Sequence, residues 1–233
     1  MNKIQVRNFM SKDDFINFIN IKTGNIAENI LYRSSSPLKG GNEKKIKEKA
    51  AIKAGIKCII NLHDNRSVIY NLSKDVLWYN KLVNEGNVIC LNMTFTIPGI
   101  KSNEKKLKRA LQFMIKKQGP YLIHCFAGVD RTGFFSALLE ALMGGSVEEI
   151  CKNYLSAFNF DTSVSSKIEK YSKMKNFMKQ LKKMFHGENI INNNIQTVTE
   201  RYLMDDIGLS NEEILKLKNI LNGSMKNNIV NET

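Results

Sequence analysis

The stretch YLIHCFAGVDRTGFFSALLEALMGG, residues 121–145, passes from a short apolar strand through a turn of small residues into a helix. Strand-to-helix turns aim several backbone N–H groups at one point, and the following helix adds its positive end. Gly128 lets the backbone approach a ligand with no side chain in the way. Such a turn is an anion hole of phosphate or sulfate size. Cys125 stands at its base, where the same field favours the thiolate and can lower a thiol from about 8.5 by several units. The planar fork of Arg131 can grip two oxygens of a phosphoryl group, harder as charge builds in the transition state. Thr132 can donate a hydrogen bond to the sulfur and help it leave. The implied chemistry is covalent phosphoryl transfer to Cys125 followed by hydrolysis. The alternatives are an inert buried thiol, a loop that binds phosphate without turnover, and a sulfur-transfer loop.

Working outward, residues 43–54 (EKKIKEKAAIKA) read as an exposed helix with Ile46, Ala50 and Ala54 on one face and Gly55 at its end. IKCIINL (56–62) reads as a buried strand, 73–84 as a helix and NVICLNM (87–93) as a second strand. After the loop TFTIPGIKS, Ser102 is placed to cap a helix burying Leu107, Leu111 and Met114, and Gly119-Pro120 stop it before YLIHC. This alternation predicts an α/β fold with a mostly parallel central sheet and helices on both faces. Ligands in such sheets bind beyond the carboxyl ends of the strands, where residue 125 falls.

Beyond Gly144-Gly145 the chain reads as wholly helical. Ser146 with Glu149 and Ser210 with Glu213 form capping-box patterns. Between them, 163–184 reads as a long basic helix whose Ile168, Tyr171, Met174 and Met178 form a core stripe. One domain is expected over 1–222, with 146–222 as its helical C-terminal part and 223–233 as a disordered tail.

Of 233 residues, 35 are Lys or Arg against 22 Asp or Glu, a net charge of +13 that favours anionic partners. An AT-rich genome would give the same lysine content without any partner. The basic residues spread over several helices with no aromatic platform among them, which argues against nucleic acid. No apolar run reaches the ~18–20 residues that span a bilayer. The polar N-terminus and four cysteines without a C-x-x-C pair suggest free thiols in a reducing, cytoplasmic setting, with secretion to a host left open. Three histidines, none spaced to share a metal site with a cysteine, argue against zinc, and no cofactor is expected.

HCFAGVDRTG (124–133) resembles the phosphate-binding signature of the protein tyrosine phosphatase superfamily: cysteine, five residues, arginine, then serine or threonine. Its Ala-Gly and Asp-Arg-Thr-Gly portions are most similar to the bacterial atypical tyrosine phosphatases, some of which also act on phosphoinositides. LYRSSSPL (31–38), AGIKCIINL, NYLSAF and YLMDDIGLSNEEILKLKNIL are similar to further family segments, so the resemblance spans most of 30–222. It implies Cys125 as nucleophile, Arg131 as transition-state clamp, the backbone of Phe126, Ala127, Gly128, Val129, Asp130 and Arg131 as the cradle, and His124 as a residue that tunes the cysteine or braces the loop. It also implies a metal-independent reaction that releases free phosphate. Phosphotyrosine proteins are the expected substrates, with phosphoinositides or inositol phosphates, or a catalytically silent phosphoprotein-binding module, as alternatives. A monomer is expected, with peripheral membrane contact open through the basic helix.

The chain departs from the family at two places. The loop that carries the family's general acid reads TFTIPGIKSNEKK here and contains no Asp; Glu104, its one carboxylate, belongs to a helix start. Asp130, inside the cradle, is the first substitute and Asp64, in NLHDNRS, the second; a loop brace and a turn residue are their respective bland readings. Val129 stands where similar bacterial phosphatases carry lysine, which weighs against inositol lipids. Arg33 either binds substrate or pairs with an acidic residue, and Cys58, Cys90 and Cys151 read as buried spacers.

Overall fold

The structure, a computed structural model, describes residues 17–94, 101–158 and 167–224. Its strands are β1 (Ile19–Ile21), β2 (Leu31–Ser34), β3 (Cys58–Asn61), β4 (Val88–Cys90) and β5 (Tyr121–His124). They form one sheet in the order β1-β2-β5-β3-β4, in which only the β1–β2 pair is antiparallel. The central β5 reads YLIH and is buried along its whole length, as a parallel strand covered on both faces must be.

The alternation of side chains along these strands divides the core in two. Leu31, Ile60, Tyr121 and Ile123 face one hydrophobic cluster; Tyr32, Ile59 and Leu122 face the other. The second cluster is completed by α1 (Glu43–Lys53), α2 (Arg66–Leu72) and α3 (Leu77–Asn84). The first is built on α4 (Lys101–Lys116) and α5 (Asp130–Leu142), and then on α6 (Val147–Ser156), α7 (Lys167–Met184), α8 (Ile195–Asp205) and α9 (Asn211–Leu221). The mostly parallel sheet, the helices on both faces and the helical C-terminal part are thus all present. Both capping boxes form, with each serine side chain accepting from the N3 backbone and each glutamate returning the bond.

Several expectations change. The buried face of α1 carries Lys47, Ala50 and Ala51, while Ile46 is 41% exposed. Lys47 is drawn inward because its ammonium donates to the carbonyls of Ser36 and Lys39 and to Glu43, bracing the loop after β2. The helix read at 73–84 is a short 3₁₀ turn (Ser73–Asp75) followed by α3, and α2 precedes it, capped where the Asn65 side chain accepts from Val68 N–H. Helix α4 begins at Lys101, so Ser102 lies inside its first turn. On α7, Ile168 and Tyr171 are 81% and 63% exposed; the buried stripe is Phe177, Leu181 and Met184, with Met174 and Met178 half-buried beside it. Residues 163–166 of the expected basic helix, 95–100 of the loop before α4, and the tail from 225 lie outside the described residues; Gly223 closes α9 at a positive φ. Among the described residues, no helix is long and apolar enough to cross a membrane.

Candidate active site

The parallel strands deliver polar residues to one level of one sheet edge. Ser34 of β2 and Asn61 of β3 both pair in register with His124 of β5. The turn between β5 and α5 leaves from this level. Its carbonyls are engaged, one after another, on its outer side. Cys125 C=O lies 3.2 Å from His124 Nδ1, Phe126 C=O accepts from Ser36 N–H, and Ala127 C=O accepts from the Asn17 amide. Gly128 C=O accepts from Arg33 Nη2 at 2.8 Å, and Val129 C=O accepts from Gly133 N–H at 2.7 Å. In a trans peptide the N–H points opposite to the preceding carbonyl. Carbonyls turned outward therefore turn the N–H groups of 126–130 toward the centre of the turn. One of them, Gly128 N–H, donates to Cys125 Sγ at 3.3 Å.

This shape requires glycine at two points. Gly128 has φ +74°, and a Cβ there would lie 2.5 Å from Ser34 O and Ser35 N. Gly133 lets α5 approach α6 so closely that a Cβ would lie 2.6 Å from Tyr154 Cδ2.

The side chains in and behind the turn sort into two groups. Cys125, at its base, is 2% exposed. Arg131 Nη1 donates to Met93 C=O at 3.1 Å and lies 3.1 Å from His63 Nδ1. Thr132 Oγ1 is buried and has no hydrogen-bond partner among the described residues, so it does not donate to sulfur here. Phe126 is 52% exposed, with Lys39 Nζ 4.7 Å above its ring and the His63 ring centred 5.4 Å away in a T-shaped contact. Asp130 opens α5 half-buried, and its charge helps to raise Tyr154, whose hydroxyl burial pushes up most.

Behind the turn, His124 is fully buried and pushed down to about 4, chiefly by loss of solvent. As a neutral ring it donates from Nδ1 to Cys125 C=O and accepts at Nε2 from Tyr79 O–H, 3.0 Å away. Asn61 Nδ2 donates both to Tyr79 Oη and to Asp64 Oδ2, and Asn61 Oδ1 accepts from the N–H groups of His63 and Asp64. Asp64 is therefore tied into the buried chain Asp64–Asn61–Tyr79–His124, its side chain only 4% exposed. Among the described residues, Arg33 neither faces solvent nor forms a simple ion pair. It is wholly buried, gripping loop carbonyls and Asn153, with Glu140 close enough to favour its charge.

Cys125, Phe126–Arg131, Thr132 and His124 lie together in and behind the turn, and Asp64 stands in the buried chain behind it. The sequence reading missed Tyr79, Asn61 and His63. His63 stood in the quoted segment NLHDNRS beside Asp64, and its placement after a parallel strand was the available signal. Burial pushes the thiols of Cys58, Cys90 and Cys151 up to about 11, which leaves them protonated at neutral pH.

Solved structures similar to this chain include two catalytic cores. The core catalytic domain of the PP-IP phosphatase SIW14 from S. cerevisiae, in complex with citrate, is 18% identical over 70% of this chain and 94% of its own, with a TM-score of 0.39. The Siw14 catalytic core is 19% identical over 69% and 96%, with a TM-score of 0.38. No curated protein matches the chain. The sequence model of the tyrosine phosphatase family matches residues 19–223, a range that takes in every described strand and helix, and the chain belongs to this family of cysteine-based phosphatases.

Proposed function

We propose that the chain hydrolyses phosphate monoesters, phosphotyrosine foremost, through a phosphocysteine intermediate on Cys125. The observation that carries this reading is the turn itself: its carbonyls are bonded away from the centre, and Gly128 N–H donates to the Cys125 sulfur. A dianionic phosphoryl group would fill that centre, with the Arg131 fork across its equatorial oxygens.

Attack by the Cys125 thiolate forms the sulfur–phosphorus bond as the bond to the leaving oxygen breaks. That oxygen takes a proton from the Asp130 carboxyl. A water then returns a proton to Asp130 and adds its oxygen to phosphorus. The sulfur–phosphorus electrons go back to sulfur, where Thr132 Oγ1, with no other partner among the described residues, can donate to the departing thiolate. Inorganic phosphate leaves. Asp130 is preferred to Asp64 as the acid because the Asp64 side chain is 4% exposed and bonded to Asn61, which suits a brace.

Phosphotyrosine is favoured by Val129, which adds no charge to the cradle, and by the half-exposed Phe126 ring, an apolar wall for an aryl group. Lys39, above that ring, supports a second reading: a cation for another phosphate on an inositol phosphate or phosphoinositide. Hydrolysis of a small aryl phosphate, with Cys125→Ser as control, tests the enzyme reading. Wild-type turnover no higher than the control's would leave a silent phosphoprotein-binding module. Relative kcat/KM over phosphopeptides and inositol phosphates then ranks the substrates.

A further inference from the structure

Arg131 is held by a residue outside the cysteine turn. Its Nη1 lies between two acceptors from two different loops, Met93 C=O after β4 and His63 Nδ1 after β3, each at 3.1 Å. An arginine can only donate, so the imidazole nitrogen facing it carries no proton. The proton of the neutral ring then sits on Nε2, which faces Asp64 Oδ1 at 3.7 Å. Asp64 is in turn fixed by Asn61, and the His63 ring is packed edge-on against Phe126. Tautomer and ring plane are thereby both set.

We propose that His63 is a positioning residue for Arg131, its neutral Nδ1 fixing the guanidinium plane so that the fork is oriented for a tetrahedral dianion before the anion arrives. The substrate role of that anion rests on the phosphatase reading; the positioning itself concerns any dianion in the turn. Two acceptors on one nitrogen leave the guanidinium little freedom to rotate, and a clamp ordered in advance loses less on binding. Protonation of His63 would remove the acceptor and set a second cation beside Arg131. The charged groups facing His63 are Asp64 from its own loop, Arg131 from α5 and Lys39 from the loop after β2. Burial, Arg131 and Lys39 together outweigh Asp64 and keep the ring neutral at pH 7.

The side-chain amide of asparagine places an oxygen where histidine has Nδ1, whereas that of glutamine reaches the Nε2 position. Tungstate affinity by calorimetry therefore separates positioning from packing, using the whole chain as wild type, H63A, H63N and H63Q. Expected are losses of about 10- to 100-fold for the alanine and glutamine variants and near-wild-type affinity for asparagine. Acidification should weaken the wild type relative to H63N, whose acceptor does not titrate. Equal binding by H63A and wild type, rescue by glutamine as good as by asparagine, or identical acid dependence of wild type and H63N would overturn the proposal. Wild type that binds tungstate but does not cleave an aryl phosphate would defeat the phosphatase reading and leave this one standing. Failure of wild type to bind tungstate would overturn both.

Discussion

Two loops leave the same edge of the sheet, one after β5 and one after β3, and they use their backbones in opposite ways. In the turn after β5 the carbonyls are taken up by Ser36, Asn17, Arg33, His124 and the first turn of α5, so the N–H groups face inward. In the loop after β3 the N–H groups are taken up instead: Asn61 Oδ1 accepts from His63 and Asp64, and Asn65 Oδ1 accepts from Val68 at the start of α2. A side-chain amide closing its own turn takes those N–H groups away from a ligand. The first loop is thus a receptor for an anion, and the second is a rigid mount that presents side chains to it. Tyr79, which meets both Asn61 and His124, ties the mount to the receptor.

The largest effect is expected at Gly128. Alanine there must adopt a positive φ and push against Ser34 and Ser35, so G128A should lose about 2–4 kcal/mol of unfolding free energy, read by denaturant titration, and at least ~10²-fold in kcat/KM. A variant with wild-type activity would mean that the carbonyl-out shape is dispensable. Next comes the link between the loops. Tyr79→Phe leaves His124 Nε2 buried without a donor and should cost about 1–3 kcal/mol, read by urea unfolding.

The support behind the receptor titrates. Burial pushes Glu140 up to about 7, against the lowering pull of Asn153, Thr23 and Arg33. Between about pH 4.5, where the unfolded side chain ionises, and about pH 7, the folded chain holds a proton that the unfolded chain has lost. Stability should therefore fall as pH rises through that window. Glu140→Gln removes the dependence and should gain on the order of 2 kcal/mol over wild type between about pH 5 and pH 8. The smallest effect belongs to the mount. Asn65→Ala removes the α2 cap and should cost ~1 kcal/mol in stability with kcat/KM within about 2-fold of wild type.

The receptor loop was legible because its residue types are local, a strand, a small-residue turn and a helix start within 121–133, although Ser36, Asn17 and Arg33, which hold its carbonyls, come from far along the chain. The parallel sheet and both capping boxes were legible for the same reason. The mount was not, because His63 and Arg131 become neighbours only through the order β5-β3-β4. Arg33 was half legible: its segment stood out, but that it would grip Gly128 C=O from within the core depends on β2 pairing with β5. On α7 the helix was read but its face was not. Two apolar stripes run along it, and spacing cannot choose between them. Contact with Tyr154, whose ring stacks on Phe177 at 3.9 Å, decides it, and Ile168 and Tyr171 are left outside.

If the inward-facing donors of the turn serve a nucleophilic sulfur, phosphate must pass through a covalent bond to Cys125. Rapid acid quench of wild type during turnover of an aryl phosphate, followed by peptide mass spectrometry, tests it directly. A phosphoryl adduct on the peptide bearing Cys125, absent in Cys125→Ser, is the predicted result. Turnover with no adduct on that peptide, or with an adduct on another residue, would contradict it.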